Sequence, residues 1–492
     1  MKFREMLHGL NLTASTGSLD IDITGIVSDN REVEQGNIFV CYQGISVDSH
    51  IFVADALQKG AAAIIGEKPV TALEIPTTPV TYVQVPNGRR AMSLLAANWH
   101  GNPAKHLKLI GITGTNGKTS TAHLIHSILK SSGRKTALIG TVGHQYTNTQ
   151  GEVKTLPASL TTPDAFALHA LFKQFVDDGV EYVTMETSSQ GLALQRLAGL
   201  GFDTAVFTNF TQDHLDYHQT MEAYLKAKLM LFEQLSEEGV AVLNSDSPVS
   251  KRISETCLRS QLLMYGLDNK TDLHAEDIAF AHNRLAFTAV TPEGRFPVKL
   301  RLLGEYNLYN ALAAIAVGIR YGCPMAAIQE GLAATVVPGR FELIDQGQDF
   351  AVIVDYAHTP DGLENVLTAA KRITQQKLIC VFGCGGDRDN GKRPKMGNIS
   401  AQIADYSVIT SDNPRTEDPD AIIAQIVSNL PHDTKHVCIS ERRDAIHHAI
   451  ATAKSGDVVV IAGKGHEDYQ EIHGKRFPFD DRVVASDFLQ SL

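Results

Sequence analysis

The sequence predicts an α/β chain of three domains, with a parallel sheet behind a phosphate loop in the middle and a parallel, doubly wound sheet at the end. Three observations predict this. The 492 residues suffice for about three domains at roughly 100–200 residues each. Short apolar runs of strand length alternate with helical stretches through the second and third parts of the chain. A glycine-rich turn closes one of those runs and opens a helix.

The first part, to about residue 105, holds apolar runs at Asn37–Tyr42, Ala61–Gly66 and Val80–Val85, then a helical stretch at Gly88–Trp99. Gly101-Asn102-Pro103 reads as a linker. The second part opens with the buried-strand pattern Leu107–Ile112. Its helix follows near Ser120–Leu129, and further strands are expected at Lys135–Ile139, Glu181–Met185, Asp203–Thr208 and Val240–Asn244. Alternation between about 270 and 303 predicts antiparallel strands, and a helix near Leu308–Tyr321 follows. Pro338-Gly339 marks the next boundary. The third part has runs at Ala351–Val354, Leu378–Phe382, Tyr406–Thr410, Val437–Ile439 and Val458–Ala462. The expected divisions are 1–105, 106–337 and 338–492.

Composition excludes several classes. Hydrophobic residues are 43% and charged residues 20%, an ordinary globular balance. The net charge of −11, from 44 basic and 55 acidic residues, disfavours nucleic-acid and membrane-surface binding. An anionic small molecule stays possible, because a local nest of donors binds phosphate whatever the global charge. The six cysteines have no CxxC spacing, and Cys380 and Cys384 lack a second pair, so free thiols in a reducing cytoplasm are expected. Met1–Glu5 is charged and lacks an apolar core, so no secretory signal is expected. No run of about 18 apolar residues predicts a membrane span.

Thr113-Gly114-Thr115-Asn116-Gly117-Lys118-Thr119 joins the Leu107–Ile112 strand to its helix. Glycines let backbone N–H groups turn toward phosphate oxygens, and the helix N-terminus adds partial positive charge. Lys118 can reach β- and γ-phosphates, and the Thr119 hydroxyl can bind Mg²⁺. The spacing departs from G-x-x-x-x-G-K-[ST]: Ile112 stands where the first glycine belongs, and Gly111 lies one place earlier. A plain strand–helix turn is the competing interpretation.

In the third part the expected carboxyl ends of strands carry Asp355-Tyr356-Ala357-His358, Gly383–Arg388, Asp412-Asn413-Pro414-Arg415 and Gly463–Glu467. Doubly wound sheets place ligands there. In Asp412–Arg415 the proline stiffens the turn, Arg415 offers a fork for a carboxylate, and Asp412 and Asn413 can orient an ammonium.

Gly114-Thr115-Asn116-Gly117-Lys118-Thr119 resembles the motif of the Mur ligase superfamily, in which folylpolyglutamate synthetases are cousins. Further segments resemble the family in the same order. They are Ser28–Arg31, Thr161-Thr162-Pro163, Glu186–Ser189, Asp213–Asp216, Ala227-Lys228, Asn307–Asn310, Pro338–Glu342, Asp355–His358 and Gly463–Glu467. The resemblance spans essentially the whole chain. It implies an N-terminal UDP-binding domain, a central ATPase domain and a C-terminal Rossmann-like domain. The implied reaction activates a carboxylate with ATP as an acyl phosphate, which an amine then captures. In this family D-N-P-R is associated with addition of meso-diaminopimelate to a UDP-MurNAc-dipeptide in peptidoglycan synthesis.

The resemblance also assigns roles. Lys118, Glu186, His214 and Lys228 are the expected catalytic residues. Thr119 and Glu186 would hold one Mg²⁺, His214 resembles the ligand of a second metal, and Lys228 would carry a carbamate formed with CO₂. Lys226 shares its helix but points away from Lys228 at 3.6 residues per turn. Thr113–Thr119, Asn310, Arg340 and Asp355 resemble the ATP contacts. Ser28, Asn30 and the Gly44–Val47 loop resemble uridine and diphosphate contacts, and Thr161, Thr162, Ser188 and Arg196 muramoyl-dipeptide contacts. Arg388, Asp412, Asn413, Pro414, Arg415, Gly463 and Glu467 would form the diaminopimelate pocket. Local alternatives are ordinary: a surface lysine, capping hydroxyls, a Pro turn. The expected partners are these small molecules alone, with the chain a cytoplasmic monomer.

Gln190, Leu194 and Asn30 depart from residues common in relatives and bear on substrate contacts. Asp412–Arg415 argues against a lysine-adding enzyme, and the N-terminal domain against a folate enzyme. A phosphate-loop NTPase acting as a switch would need the loop but not Lys228, Arg388 or Arg415.

Overall fold

The computed structural model describes residues 1–44, 47–73, 80–257, 260–268, 271–281 and 284–492. They form two compact units. One comprises Met1–Gly111, Lys135–Asp203 and Ala227–Gly239; the other comprises Ile112–Arg134, Thr204–Lys226 and Val240–Leu492.

The first unit contains a five-stranded sheet in the order Ala14–Thr16, Tyr82–Gln84, Ala63–Gly66, Asn37–Val40, Gly25–Val27. All neighbours are parallel except the Ala14–Thr16 edge. Side chains alternate across a strand, and both faces are covered. Ile38, Val40, Ala63, Ile65 and Val83 pack with Ala91 and Leu95 of the helix Gly88–Trp99. Phe39, Ile64 and Tyr82 pack with Val53 and Ala56 on the other face. Asn87 starts the Gly88–Trp99 helix by accepting from Arg90 N (2.8 Å). The expected linker instead becomes a left-handed Asn102 ahead of a short 3₁₀ turn, Pro103–His106.

In the same unit Thr136–Gly140 runs parallel to Tyr182–Glu186 and antiparallel to Gly143–Thr147, which continues antiparallel to Val153–Leu156. The sequence reading had no strand at those last two positions. Val153–Leu156 is mostly exposed and carries no apolar run.

The helix Ala165–Asp177, capped by Asp164, buries His169 to 1% exposure, and neither ring nitrogen has a hydrogen-bond partner. Burial pushes its pKa from 6.5 down to about 4. The unfolded chain therefore binds a proton that the folded ring refuses. Stability from this group is present above about pH 6.5 and is lost as pH falls toward 4, by roughly 3 kcal/mol at most. H169L is expected to flatten the acid side of a melting-temperature profile between those pH values. An unchanged slope would contradict this origin of acid sensitivity.

In the second unit, Val240–Asn244 within the strand Leu235–Asn244 pairs parallel with Gln261–Tyr265. Three antiparallel strands, His274–Ala281, Arg284–Thr291 and Gly294–Leu300, occupy the alternating segment, and in Arg284–Thr291 every second residue is buried. A six-stranded sheet follows, ordered Glu342–Ile344, Ala351–Asp355, Val458–Ala462, Leu378–Phe382, Tyr406–Ile409, His436–Cys438. It is parallel except for Glu342–Ile344, an edge strand too short to show a period. Ile353, Cys380 and Val460 face one core; Val352, Val381, Val459 and Ile461 face the other. This order sets the carboxyl ends Asp355, Ala462 and Phe382 side by side. Arg442 and Asp481, both fully buried, lock that end: Arg442 pairs with Asp481 (2.7 Å) and donates to the Ser411 (3.2 Å) and Ala462 (3.0 Å) carbonyls.

Candidate functional site

The phosphate loop leaves the strand Lys108–Thr113 and enters the helix Lys118–Ser131. Gly117 stands at the helix N-terminus with φ 83°, and a Cβ there would lie 2.4 Å from Asn310 Oδ1. Only glycine fits. Asn310 is itself fixed, accepting from Thr121 Oγ1 (3.2 Å) and donating to Asn307 Oδ1 (2.9 Å). Asn209 holds the loop from the strand-end side: its Oδ1 accepts from Asn116 N (2.9 Å) and its Nδ2 donates to Asn116 O (3.1 Å). Asn116 Nδ2 donates to Asp361 (2.5 Å). Lys118 Nζ folds back on the Gly114 (2.9 Å) and Thr115 (2.8 Å) carbonyls. Its ammonium is thus held at the mouth of the loop.

A cavity of about 80 Å³ lies against this loop. It brings together Asn116, Gly117, Asn310, Arg340 and Asp355, all predicted from sequence, with Tyr306, Tyr356 and His358. Arg340 donates to Thr119 Oγ1 (3.1 Å), and its guanidinium lies 4.5 Å from the Tyr356 ring centre. Its Nε is buried without a hydrogen-bond partner, which suits an acceptor from a bound ligand. Asp355 lines the cavity and also anchors the backbone beside it. Both its oxygens are taken by backbone N–H groups, Phe341 N (2.7 Å) and Ala357 N (2.8 Å). It thereby holds Phe341 in a left-handed conformation, φ 48°, and so places Arg340. Burial raises the Asp355 pKa against the pull of Arg340. Burial pushes His358 down to about 4, so its ring is neutral at pH 7.

His214 also has a left-handed backbone, φ 53°, and its Nε2 lies 3.4 Å from Asp213 Oδ2. In the other unit, Glu186 is 1% exposed and accepts from Thr141 N (2.8 Å) and Thr141 Oγ1 (3.1 Å). Lys228, on the helix Met221–Phe232, is 1% exposed. Lys226 on the same helix is exposed and lies 4.0 Å from Glu222. A lysine is rarely so buried. Among the described residues no group of three or more His, Cys, Asp and Glu is arranged to hold a metal ion. Thr119 offers a buried hydroxyl and, in the other unit, Glu186 a buried carboxylate, each an oxygen donor of the kind a hard cation takes.

The first unit gathers the predicted dipeptide contacts. Thr161 Oγ1 lies 3.1 Å from Thr141 Oγ1. Thr162 Oγ1 donates to Glu186 O (3.0 Å) and lies 3.0 Å from Ser188 Oγ. Arg196 donates to Thr162 O (2.8 Å). Ser188 also caps the short helix Ser189–Ala193. Asn30 donates to Asp55 (2.8 Å) and Ser28 is half-buried nearby in the chain. Gly44 N donates to Val47 O (3.0 Å), while Ile45 and Ser46 of that loop lie outside the described residues.

Asp412–Arg415 forms a charged cluster in the second unit. Asp412 is 8% exposed; Oδ1 accepts from Asn413 N (2.7 Å), and Oδ2 is buried without a partner. Burial favours its neutral form, but Lys464 and Arg442 outweigh that and hold its pKa below the ordinary value. An anionic oxygen lacking a donor is a seat for an ammonium. Gly463, φ 121°, packs against this oxygen: a Cβ there would lie 2.5 Å from Asp412 Oδ2. Asn413 donates to Glu467 (2.9 Å) and accepts from Lys464 Nζ (3.2 Å). Arg415, φ 52°, donates to Gly386 O (2.7 Å). Arg388 is 51% exposed and 3.6 Å from Asp216.

Asn209, Asp361 and Tyr306 were missed from sequence, and the fully buried Lys464 was quoted within Gly463–Glu467 without a role. Asn209 follows the strand Phe202–Phe207, and Asp361 is in the first turn of the helix Pro360–Ile373. Both sit at strand-to-helix connections where a ligand-facing residue is expected. Lys464, between two glycines at the end of Val458–Ala462, carried the same signal.

The loop, the cavity beside it and the doubly wound sheet define a phosphate-loop α/β protein. The chain belongs to the Mur ligase family. The Mur ligase middle domain matches residues 112–318, the Mur ligase glutamate ligase domain residues 339–465, and the Mur ligase family catalytic domain residues 22–100. A Bacillus licheniformis protein named UDP-N-acetylmuramoyl-L-alanyl-D-glutamate--2,6-diaminopimelate ligase is 46% identical, over 99% of this chain and 98% of its own length. A solved structure of a ligase of that name is 34% identical with a TM-score of 0.70, covering 100% of this chain and 99% of that one. The MurF ligase of Thermotoga maritima, solved in complex with ADP, shares the fold at 20% identity and a TM-score of 0.62, over 95% of this chain and 96% of its own.

Proposed function

We propose that this chain is an ATP-dependent ligase that joins the D-glutamate carboxylate of UDP-MurNAc-L-Ala-D-Glu to an amine of meso-2,6-diaminopimelate, in peptidoglycan precursor synthesis. The observation that carries the reading is the charged cluster at Asp412–Arg415. It holds a buried Asp412 oxygen without a hydrogen-bond partner and, three residues on, the Arg415 guanidinium, charges of both signs such as a diamino diacid requires. Full-length similarity to ligases so named supports it.

The chemistry follows from what the residues do. A carboxylate has no leaving group at neutral pH, so ATP supplies one as an acyl phosphate, and the amine displaces phosphate from a tetrahedral intermediate. Lys118 leaves its carbonyl partners for the β- and γ-phosphates. Arg340 faces the same loop and adds charge to the transferring group. Asn116, Gly117 and Asn310 shape the nucleotide side, and Asp355 keeps Arg340 in place. Ser28 and Asn30 take the UDP end; Thr161, Thr162, Ser188 and Arg196 take the dipeptide. Arg388, Asp412, Asn413, Pro414, Arg415, Gly463 and Glu467 receive the amino acid.

Thr119 and Glu186 would hold Mg²⁺, with His214 and Lys228 as further ligands. The cation supplies charge neutralisation at the phosphates. A carbamate on Lys228 would turn a buried cation, costly in a dry interior, into an oxygen ligand. The domains are assigned as 1–105 for the UDP-sugar, 106–337 for ATP and catalysis, and 338–492 for the amino acid. Among the described residues no helix is long and apolar enough to cross a membrane; a cytoplasmic monomer without nucleic-acid partners completes the reading.

The test is ADP and phosphate release from ATP in the presence of UDP-MurNAc-dipeptide and diaminopimelate. Release is expected only with both co-substrates. Release indifferent to the amino acid would favour a phosphate-loop switch instead.

A further inference from the structure

Asp361 has no role in the reading so far, yet it touches the phosphate loop from the third part of the chain. Its Oδ2 accepts from Asn116 Nδ2 (2.5 Å), and Thr211 Oγ1 lies 3.5 Å from the same oxygen. Thr211 is itself tied to the loop: its N donates to Thr115 Oγ1 (3.0 Å), and Thr115 Oγ1 lies 3.1 Å from Thr211 O. The main chain of Asn116 is held from within the middle part, by Asn209 at its N (2.9 Å) and its O (3.1 Å), and by Thr208 Oγ1 at its O (2.6 Å). Its side chain answers instead to Asp361, 245 residues further along the chain.

A carboxylate repels phosphate, so Asp361 is not there to bind one. Its work is on the donors around it. The helix that carries it, Pro360–Ile373, is capped by Thr359, whose Oγ1 accepts from Gly362 N (3.1 Å). Leu363, Val366, Leu367 and Ala370 of that helix are buried with Ile353, Cys380, Val460 and Ala462 of the six-stranded sheet. The helix is therefore one rigid piece with that sheet. Arg340 also reaches the loop, donating to Thr119 Oγ1 (3.1 Å). The loop is gripped at Thr119 by a cation, which can also serve phosphate charge, and at Asn116 by an anion, which cannot.

We propose that Asp361 is a positioning residue for phosphoryl transfer: it sets the Asn116 side chain, and with it the mouth of the phosphate loop, from the third part of the chain. This rests on the ATP-ligase reading above. The means is a charge-assisted hydrogen bond. Removing Asp361 releases Asn116, and once Asn116 is removed Asp361 has nothing left to set.

The experiment is a double-mutant cycle. kcat/KM for ATP is measured by ADP formation in the wild type, D361A, N116A and the double variant, with UDP-dipeptide and diaminopimelate saturating and enzyme concentration raised for slow variants. D361A is expected to lower kcat/KM by about tenfold when Asn116 is present, the cost of one hydrogen bond to a charged group, and by less than about twofold in N116A. Thermal midpoints accompany each variant, because an acid in the first turn also stabilises its helix. That structural role alone would lower the midpoint in both backgrounds and leave the kinetic cycle additive. D361S, which keeps a polar group in the first turn without reaching Asn116, replaces D361A in the cycle if the alanine variant does not fold. A penalty equal in both backgrounds, or absent from both, overturns the proposal. A wild-type enzyme that forms no ADP with both co-substrates overturns the ligase reading itself, which is a different result.

Discussion

Lys118→Met is expected to lower ATP-dependent product formation by about 10³-fold, the scale seen when one preorganised charge-stabilising group is removed. Methionine keeps the length and the apolar stem of the side chain, so the helix Lys118–Ser131 should stand. What is lost is the ammonium, now bound to the Gly114 and Thr115 carbonyls. In the resting loop that ammonium satisfies two carbonyls. In the reacting complex it would face a phosphoryl group whose charge shifts toward the leaving oxygen. Single-turnover ADP formation measures the loss, and a thermal midpoint near wild type shows that the loop is intact. A variant within a fewfold of wild type would mean that phosphate charge is neutralised elsewhere.

Arg415→Ala is expected to raise the KM for diaminopimelate by about 100-fold and to leave the KM for ATP within about threefold. The guanidinium is held by Gly386 O and Glu471, both in the charged cluster and neither lining the nucleotide cavity. Truncating the arginine of a hydrogen-bonded charge pair with the substrate carboxylate costs about 2–5 kcal/mol, which spans the stated change. Arg415→Lys should recover only part, because an ammonium cannot form a two-pronged contact. Steady-state kinetics with each substrate varied in turn checks this. Equal weakening of ATP and amino acid would place Arg415 in a general structural role.

Much of the architecture was legible in the chain. The third part's strands read directly because a parallel sheet buried on both faces needs continuous apolar runs, such as Leu378–Phe382. The alternation from 270 to 303 marked strands with one buried face. Short edges such as Ala14–Thr16 and Glu342–Ile344 were invisible, because three residues cannot display a period and the former is fully exposed. At the site, residue type identified the loop because its glycines answer a steric demand: Gly117 abuts Asn310. Asp355, read as a nucleotide contact, lines the cavity, and its oxygens also hold Phe341 and Ala357. Sequence marks a carboxylate at a strand end but not which donors occupy it. The Glu471–Arg415 approach was unreadable for the same reason, since 56 residues apart in numbering they meet only through the hairpin's backbone bonds.

The central claim is that the terminal phosphoryl group of ATP passes to the substrate carboxylate before the amine attacks. ¹⁸O placed in the D-glutamate side-chain carboxylate of the UDP-dipeptide tests it most directly. One labelled oxygen is expected in the inorganic phosphate released with each tripeptide formed. Phosphate free of label, with product accumulating, would contradict the account.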